Sequence, residues 1–96
     1  SGMRRVHSKI LWSFLKEKTN YDALNNSQKE KIITLALDWL MTESKTAPIS
    51  FCIRILGCLQ NEFSFVRKHL EDLILNSQRT FPKGVFPSIR RVMQQQ

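Results

Sequence analysis

Between Ala47 and Asn61 the chain carries a single charge, Arg54, set among Ile49, Phe51, Cys52, Ile53, Ile55, Leu56, Cys58 and Leu59. A helix built from this run is apolar nearly all round, and such a helix is stable only where neighbours cover it on every side. Pro48, just after Thr46, suits its first turn, where the missing N–H costs nothing. The remaining sequence therefore has to supply a shell around this segment. With 96 residues there is room for one domain, from Met3 to Gln96, burying somewhat over ~60% of the surface of its unfolded chain. A hydrophobic fraction of 42% with three Gly and three Pro agrees with a globular profile. Ser1 and Gly2, ahead of Met3, read as a cloning remnant.

The shell is helical. Val6, Ile10, Leu11, Phe14 and Leu15 draw one stripe over Met3 to Lys18, which defines a first helix. Thr19 to Asn26 gathers Asn20, Asp22, Asn25 and Asn26, residues that favour turns, and is expected to be a loop. Ser27 with Glu30 makes a capping box for a second helix running to about Thr42 through Ile32, Ile33, Leu35, Ala36, Leu37, Trp39 and Leu40. After the apolar third helix, Asn61 can cap a fourth that carries Phe63, Phe65, Val66, Leu70, Leu73, Ile74 and Leu75 inward and ends near Gln78. Pro82, Gly84 and Pro87 punctuate a loop before a short fifth helix, Ser88 to Gln95, with Ile89, Val92 and Met93 inward. No strand pattern occurs, so the expected class is all-α with five helices.

Lys9-Ile10-Leu11 and Arg54-Ile55-Leu56 repeat a basic, apolar, apolar order 45 residues apart, and Arg91-Val92-Met93 follows after 37 more. The odd-numbered helices then form an inner set and the even-numbered ones an outer set. Paired helices at a period of ~40 to 47 are the signature of HEAT and armadillo repeats, and the chain resembles a short HEAT-like α-solenoid of about two and a half repeats. Its run Ala47-Pro48-Ile49-Ser50-Phe51-Cys52-Ile53-Arg54-Ile55-Leu56 is similar to the start of a HEAT inner helix. The alternative is a plain five-helix bundle in which these matches are coincidental. The resemblance implies an α-α superhelix that serves as a binding scaffold and not as an enzyme. It also implies an open end at the first helix, filled by upstream sequence or by a second copy in a homodimer.

Fifteen Lys and Arg against eight Asp and Glu leave a net charge of +7, compatible with nucleic acid, with an acidic partner or with simple solubility. The candidate binding residues are Arg5, Lys9 and Trp12 on the first helix, Arg54 on the third, and Arg90 and Arg91 on the last. Arg54 is expected level with Lys9 and near Arg90 or Arg91, giving a basic strip on the concave side. Lys16 shares the flank of Arg5 and Lys9, and Trp12 at its edge is either a stacking platform or a core boundary residue.

Catalytic apparatus is not legible. His7 and His69 stand in different helices, and neither a HExxH, a CxxC nor a Gly-rich phosphate loop occurs, so no metal or organic cofactor is expected. The pair Asp38-Trp39 invites comparison with HEAT-like base glycosylases, but it belongs to an outer helix. Cys52 and Cys58, six residues apart, suit neither a metal pair nor an intrahelical disulfide and fit a reducing, cytoplasmic setting. No stretch approaches a membrane span or a signal-peptide core. The reading reached from sequence is a non-enzymatic helical-repeat module that binds a protein partner, with nucleic-acid binding through the basic strip as the alternative.

Overall fold

The computed structural model describes residues 2–42, 45–76 and 81–94, with the side chains of residues 2–5 and 76 outside that description. All regular structure among these residues is helical: α1 (Gly2–Leu15), α2 (Lys18–Ala23), α3 (Asn26–Thr42), α4 (Thr46–Leu59), α5 (Ser64–Glu71) and α6 (Phe86–Met93). A π-helical turn, Asp72–Asn76, follows α5, and a 3-10 turn, Lys83–Val85, precedes α6.

The apolar run forms α4, which sits at the centre and packs against α1, α3, α5 and α6. Ile49, Cys52, Ile53, Ile55, Leu56 and Leu59 are fully buried, while Ser50, Phe51, Arg54 and Cys58 form its one half-exposed edge. Gly57 is required where α6 crosses, because a Cβ there would stand 2.7 Å from Val92 Cγ2. From the shell, Leu15, Ile33, Ala36, Leu40, Val66, Leu70, Val85 and Ile89 complete one core.

Among the described residues six α-helices replace the expected five, because the polar stretch after α1 is not a loop. Asn20 Nδ2 donates to Phe14 O at 3.1 Å, closing the end of α1, and the chain re-enters a helical turn as α2. Tyr21 then donates its phenol O–H to Glu62 Oε1 at 2.7 Å, a tertiary bond that holds α2 against the turn after α4. Turn propensity is a local preference, and this distant partner overrides it.

The capping box also sits two residues earlier than Ser27 and Glu30. Gln28 N–H donates to Asn25 Oδ1 at 2.8 Å and Asn25 N–H to Gln28 Oε1 at 2.9 Å, a reciprocal pair that starts α3 at Asn26. The fourth helix begins at Ser64 and not at Asn61, and its regular part stops at Glu71, where the π turn takes over. Within that turn the adjacent Leu73 and Ile74 both pack on the core. The expected ends at Gln78 and Gln95 lie outside the described residues. Pro87 falls in the first turn of α6, which starts two residues ahead of Ser88.

Part of the apolar pattern faces outward. Of the first stripe only Leu15 is buried and Leu11 half-buried, while Val6, Ile10 and Phe14 are exposed. The stripe is wider than the arc α4 can cover, and Ser8, fully buried, takes a place on the covered arc. Phe65 and Leu75 are likewise exposed, with Phe65 edge-on to Phe63 and His69.

Candidate functional site

Two surfaces follow from how α1 lies on α4. At 100° per residue, Ser8, Leu11 and Leu15 occupy the arc turned to the core, His7, Ile10 and Phe14 one flank, and Lys9 the opposite flank with Trp12 at its edge. The first flank faces α3.

Between α1 and α3 runs an apolar groove of about 510 Å³. Its walls are His7, Ile10, Leu11 and Phe14 from α1 and Ile32, Leu35 and Trp39 from α3, with Leu24 contributed by the turn before α3. Ile10 is 62% exposed, and Phe14 and Leu35 are each 40% exposed, values that put large apolar groups in water rather than in the core. Small-molecule sites of this size hold a few convergent polar groups to orient the ligand. Here the only titratable group in the lining is His7. The groove is thus suited to a row of aliphatic and aromatic side chains from a larger partner. The outer face of α3 forms a second, open recess lined by Ser27, Glu30, Lys31, Thr34 and Asp38 and sharing Leu35 with the groove. Asp38 points to that recess and Trp39 to the groove, so the pair does not converge on one site.

The candidate basic residues divide. Lys9, Arg90 and Arg91 are exposed, Trp12 is half-buried against the core, and the Arg5 side chain lies outside the described residues. Arg54 is half-buried, and its Nε donates to Ser88 Oγ at 3.0 Å, which fixes it against α6. Arg91, three positions after Ser88, shares that flank of α6, whereas Arg90 is turned about 160° away from it. Among the described residues the ion pairs are Lys18–Asp22, Lys29–Glu62 and Arg67–Glu71, and none uses Lys9, Arg54, Arg90 or Arg91.

Sequence reasoning missed a polar clasp. Lys29 is buried, with its Nζ 2.9 Å from Glu62 Oε1 and 4.2 Å from the centroid of the Tyr21 ring. A signal was present, because Lys29 shares a helical stripe with Ile33, Ala36 and Leu40. The Tyr21 and Lys29 hydrogen bonds hold the Glu62 carboxyl below the usual carboxylate range. Burial, with the bond to Glu62, raises the Tyr21 phenol, and burial pushes the Cys58 thiol up to about 11. At neutral pH the phenol and thiol stay protonated and the carboxylate is already engaged, so the cluster holds α2, α3 and the end of α4 together and offers neither base nor nucleophile.

Among the described residues no three His, Cys, Asp or Glu side chains gather as metal ligands, and no helix is long and apolar enough to cross a membrane. No family model, curated protein or solved structure matches the chain.

Proposed function

We propose that this chain is a short HEAT-like helical-repeat module, non-enzymatic, that binds a protein partner by taking an amphipathic helix into the groove between α1 and α3. The observation that carries the reading is the groove itself, where Ile10, Phe14 and Leu35 stand in water beside half-buried Leu11, Ile32 and Trp39. Helix-in-groove recognition needs an apolar trough that accepts anchors at i, i+3 or i+4 and i+7. Two helices seated side by side on a third provide one. What supports the HEAT-like reading is the repeated basic, apolar, apolar order of the sequence together with a central α4 that contacts α1, α3, α5 and α6. Buried Cys52 and half-buried Cys58, neither of them in a disulfide, support a cytoplasmic setting.

Charge selects the occupant. A second copy brings its own +7 and is repelled, whereas a helix whose polar face carries Glu or Asp is attracted. The probe is a fluorescein-labelled helical peptide of about 18 residues with Leu at the anchor positions and Glu on the remaining face, titrated by anisotropy. Binding is expected for the native chain and lost in the double variant Ile10→Asp, Leu35→Asp, both exposed positions that leave the core intact. A Lys-faced peptide of the same Leu pattern is expected to bind more weakly. Equal binding by native chain and double variant overturns the groove, and a native dimer in sedimentation that the double variant dissolves assigns it to a second copy.

A further inference from the structure

The charges are segregated by layer. α1, α4 and α6 hold six cations, Arg4, Arg5, Lys9, Arg54, Arg90 and Arg91, and none of the eight Asp and Glu of the chain. The carboxylates of the described residues fall instead on α2, α3, α5 and the turns. Because α4 packs against both α1 and α6, these three acid-free helices form one continuous layer. Six of the net +7 charges thus belong to those three helices, and the ion pairs among the described residues use none of Lys9, Arg54, Arg90 and Arg91.

We infer that this layer is a binding face for the phosphate backbone of a nucleic acid, on the opposite flank of α1 from the apolar groove and independent of it. Arg54 marks the floor. It is the lone charge of α4, on the half-exposed edge of that helix, and its hydrogen bond to Ser88 of α6 leaves the guanidinium without a carboxylate partner among the described residues. Arg91 shares the Ser88 flank of α6 that meets Arg54, and Lys9 lies on the flank of α1 opposite the groove.

The size of the face fits the ligand. The 14 residues of α1 span about 21 Å at 1.5 Å per residue. At about 3.4 Å per phosphate along one strand, that length matches roughly six phosphates. An acidic protein surface is the weaker fit, since stable protein interfaces have a desolvated apolar centre. Ile10 and Phe14, exposed on α1, line the groove, whereas the edge of α4 mixes Ser50, Arg54 and Cys58 with a single large apolar group, half-buried Phe51. Trp12 is packed against the core, so the contacts go to phosphates and carry little sequence preference.

The test is an anisotropy titration of a labelled 20-base-pair duplex and a 20-nucleotide single strand across 50 to 300 mM salt, about the range in which phosphate contacts dominate affinity. Affinity of the native chain is expected to fall steeply and linearly with salt on a logarithmic plot. Lys9→Gln and Arg91→Gln, both at exposed positions, are each expected to flatten the slope by about one unit. Lys31→Gln on α3 and Lys68→Gln on α5 are expected to leave it unchanged. Arg54→Lys should retain the slope that Arg54→Gln loses, with thermal melts confirming that each variant is folded. Equal slopes for Lys9→Gln, Arg91→Gln and Lys31→Gln overturn the assigned face, as does absence of salt-dependent binding by the native chain. Displacement of the oligonucleotide by polyglutamate at equal charge assigns the layer to acidic polypeptide and overturns the proposal as well.

Discussion

Replacing Gly57 by Ala sets two effects of opposite sign against each other at the crossing of α4 and α6. Ala stabilises a helix interior by about 1 kcal/mol relative to Gly, because it has less backbone freedom to lose. The new methyl would stand 2.7 Å from Val92 Cγ2 and 3.2 Å from Val92 Cγ1, against an optimal carbon separation of about 3.5 to 4.0 Å. Val92 is buried and its branched side chain has one favoured rotamer in a helix, so the contact is relieved only by moving α6. That movement also strains the bond from Gln60 Nε2 to Val92 O, 3.0 Å long, and the one from Arg54 to Ser88. Overpacking of this kind costs roughly 1 to 3 kcal/mol, which leaves a net loss of about 1 kcal/mol and a Tm lower by about 4 to 8 °C. Once Val92→Ala has removed both γ carbons, the nearest remaining atom, Cβ, lies at an ordinary 3.4 Å. In that background Gly57→Ala is expected to stabilise by about 1 kcal/mol. Paired chemical-denaturation curves for the four chains read the sign reversal directly. A gain from Gly57→Ala with Val92 in place would refute the steric account.

Leu56→Ala, at a fully buried position of α4, is expected to destabilise by roughly 2 to 5 kcal/mol in the same assay, and an unchanged midpoint would remove α4 from the core. Because the Glu62 carboxyl is held below its ordinary value of about 4.3, its bonds to Tyr21 and Lys29 add stability above that pH and lose it as pH falls through the lower folded value. The Tm gap between the native chain and Glu62→Gln should thus be constant from about pH 7 to 5 and shrink below about pH 4; a gap that is the same at both ends contradicts the clasp. With its thiol raised to about 11, Cys58 should react with iodoacetamide at pH 8 far more slowly than in the unfolded chain, and equal rates would place it in water.

The part of this fold legible in the sequence is the part where one residue pattern has one physical outcome. The run from Ile49 to Leu59 has no apolar-free face, and it is the buried centre. The proline and glycine punctuation before α6 also falls where the chain turns. What was not legible depends on distance. Tyr21 looks like a loop residue until Glu62, 41 positions away, is placed beside it. Asn25-x-x-Gln28 and Ser27-x-x-Glu30 are both capping boxes on paper, and only the formed hydrogen bonds separate them. The groove was hidden for a related reason. Ile10 and Phe14 read as core residues because periodicity shows that a face is apolar and cannot show whether anything covers it. Of the candidate basic residues, the spacing groups Lys9, Arg54, Arg90 and Arg91, and only the Arg54 to Ser88 bond distinguishes the flank of Arg91 from that of Arg90 on α6.

The position of α4 at the hub sets an order on synthesis. Its neighbours come from both sides of it in sequence, α1 and α3 before it and α5 and α6 after it. When Leu59 has been joined, the sides of α4 that α5 and α6 will cover are bare, and 34 more residues must follow before Met93 completes α6. At about 5 to 20 residues per second that interval lasts roughly 2 to 7 s, long compared with the microseconds in which α4 can coil and collapse. During those seconds the most apolar segment of the chain is a partly clothed helix, competent to meet α1 and α3 but still adhesive on its remaining sides. A chaperone that engages the nascent chain should accordingly hold it from the emergence of α4 until α6 arrives, and release it as Val92 closes over Gly57.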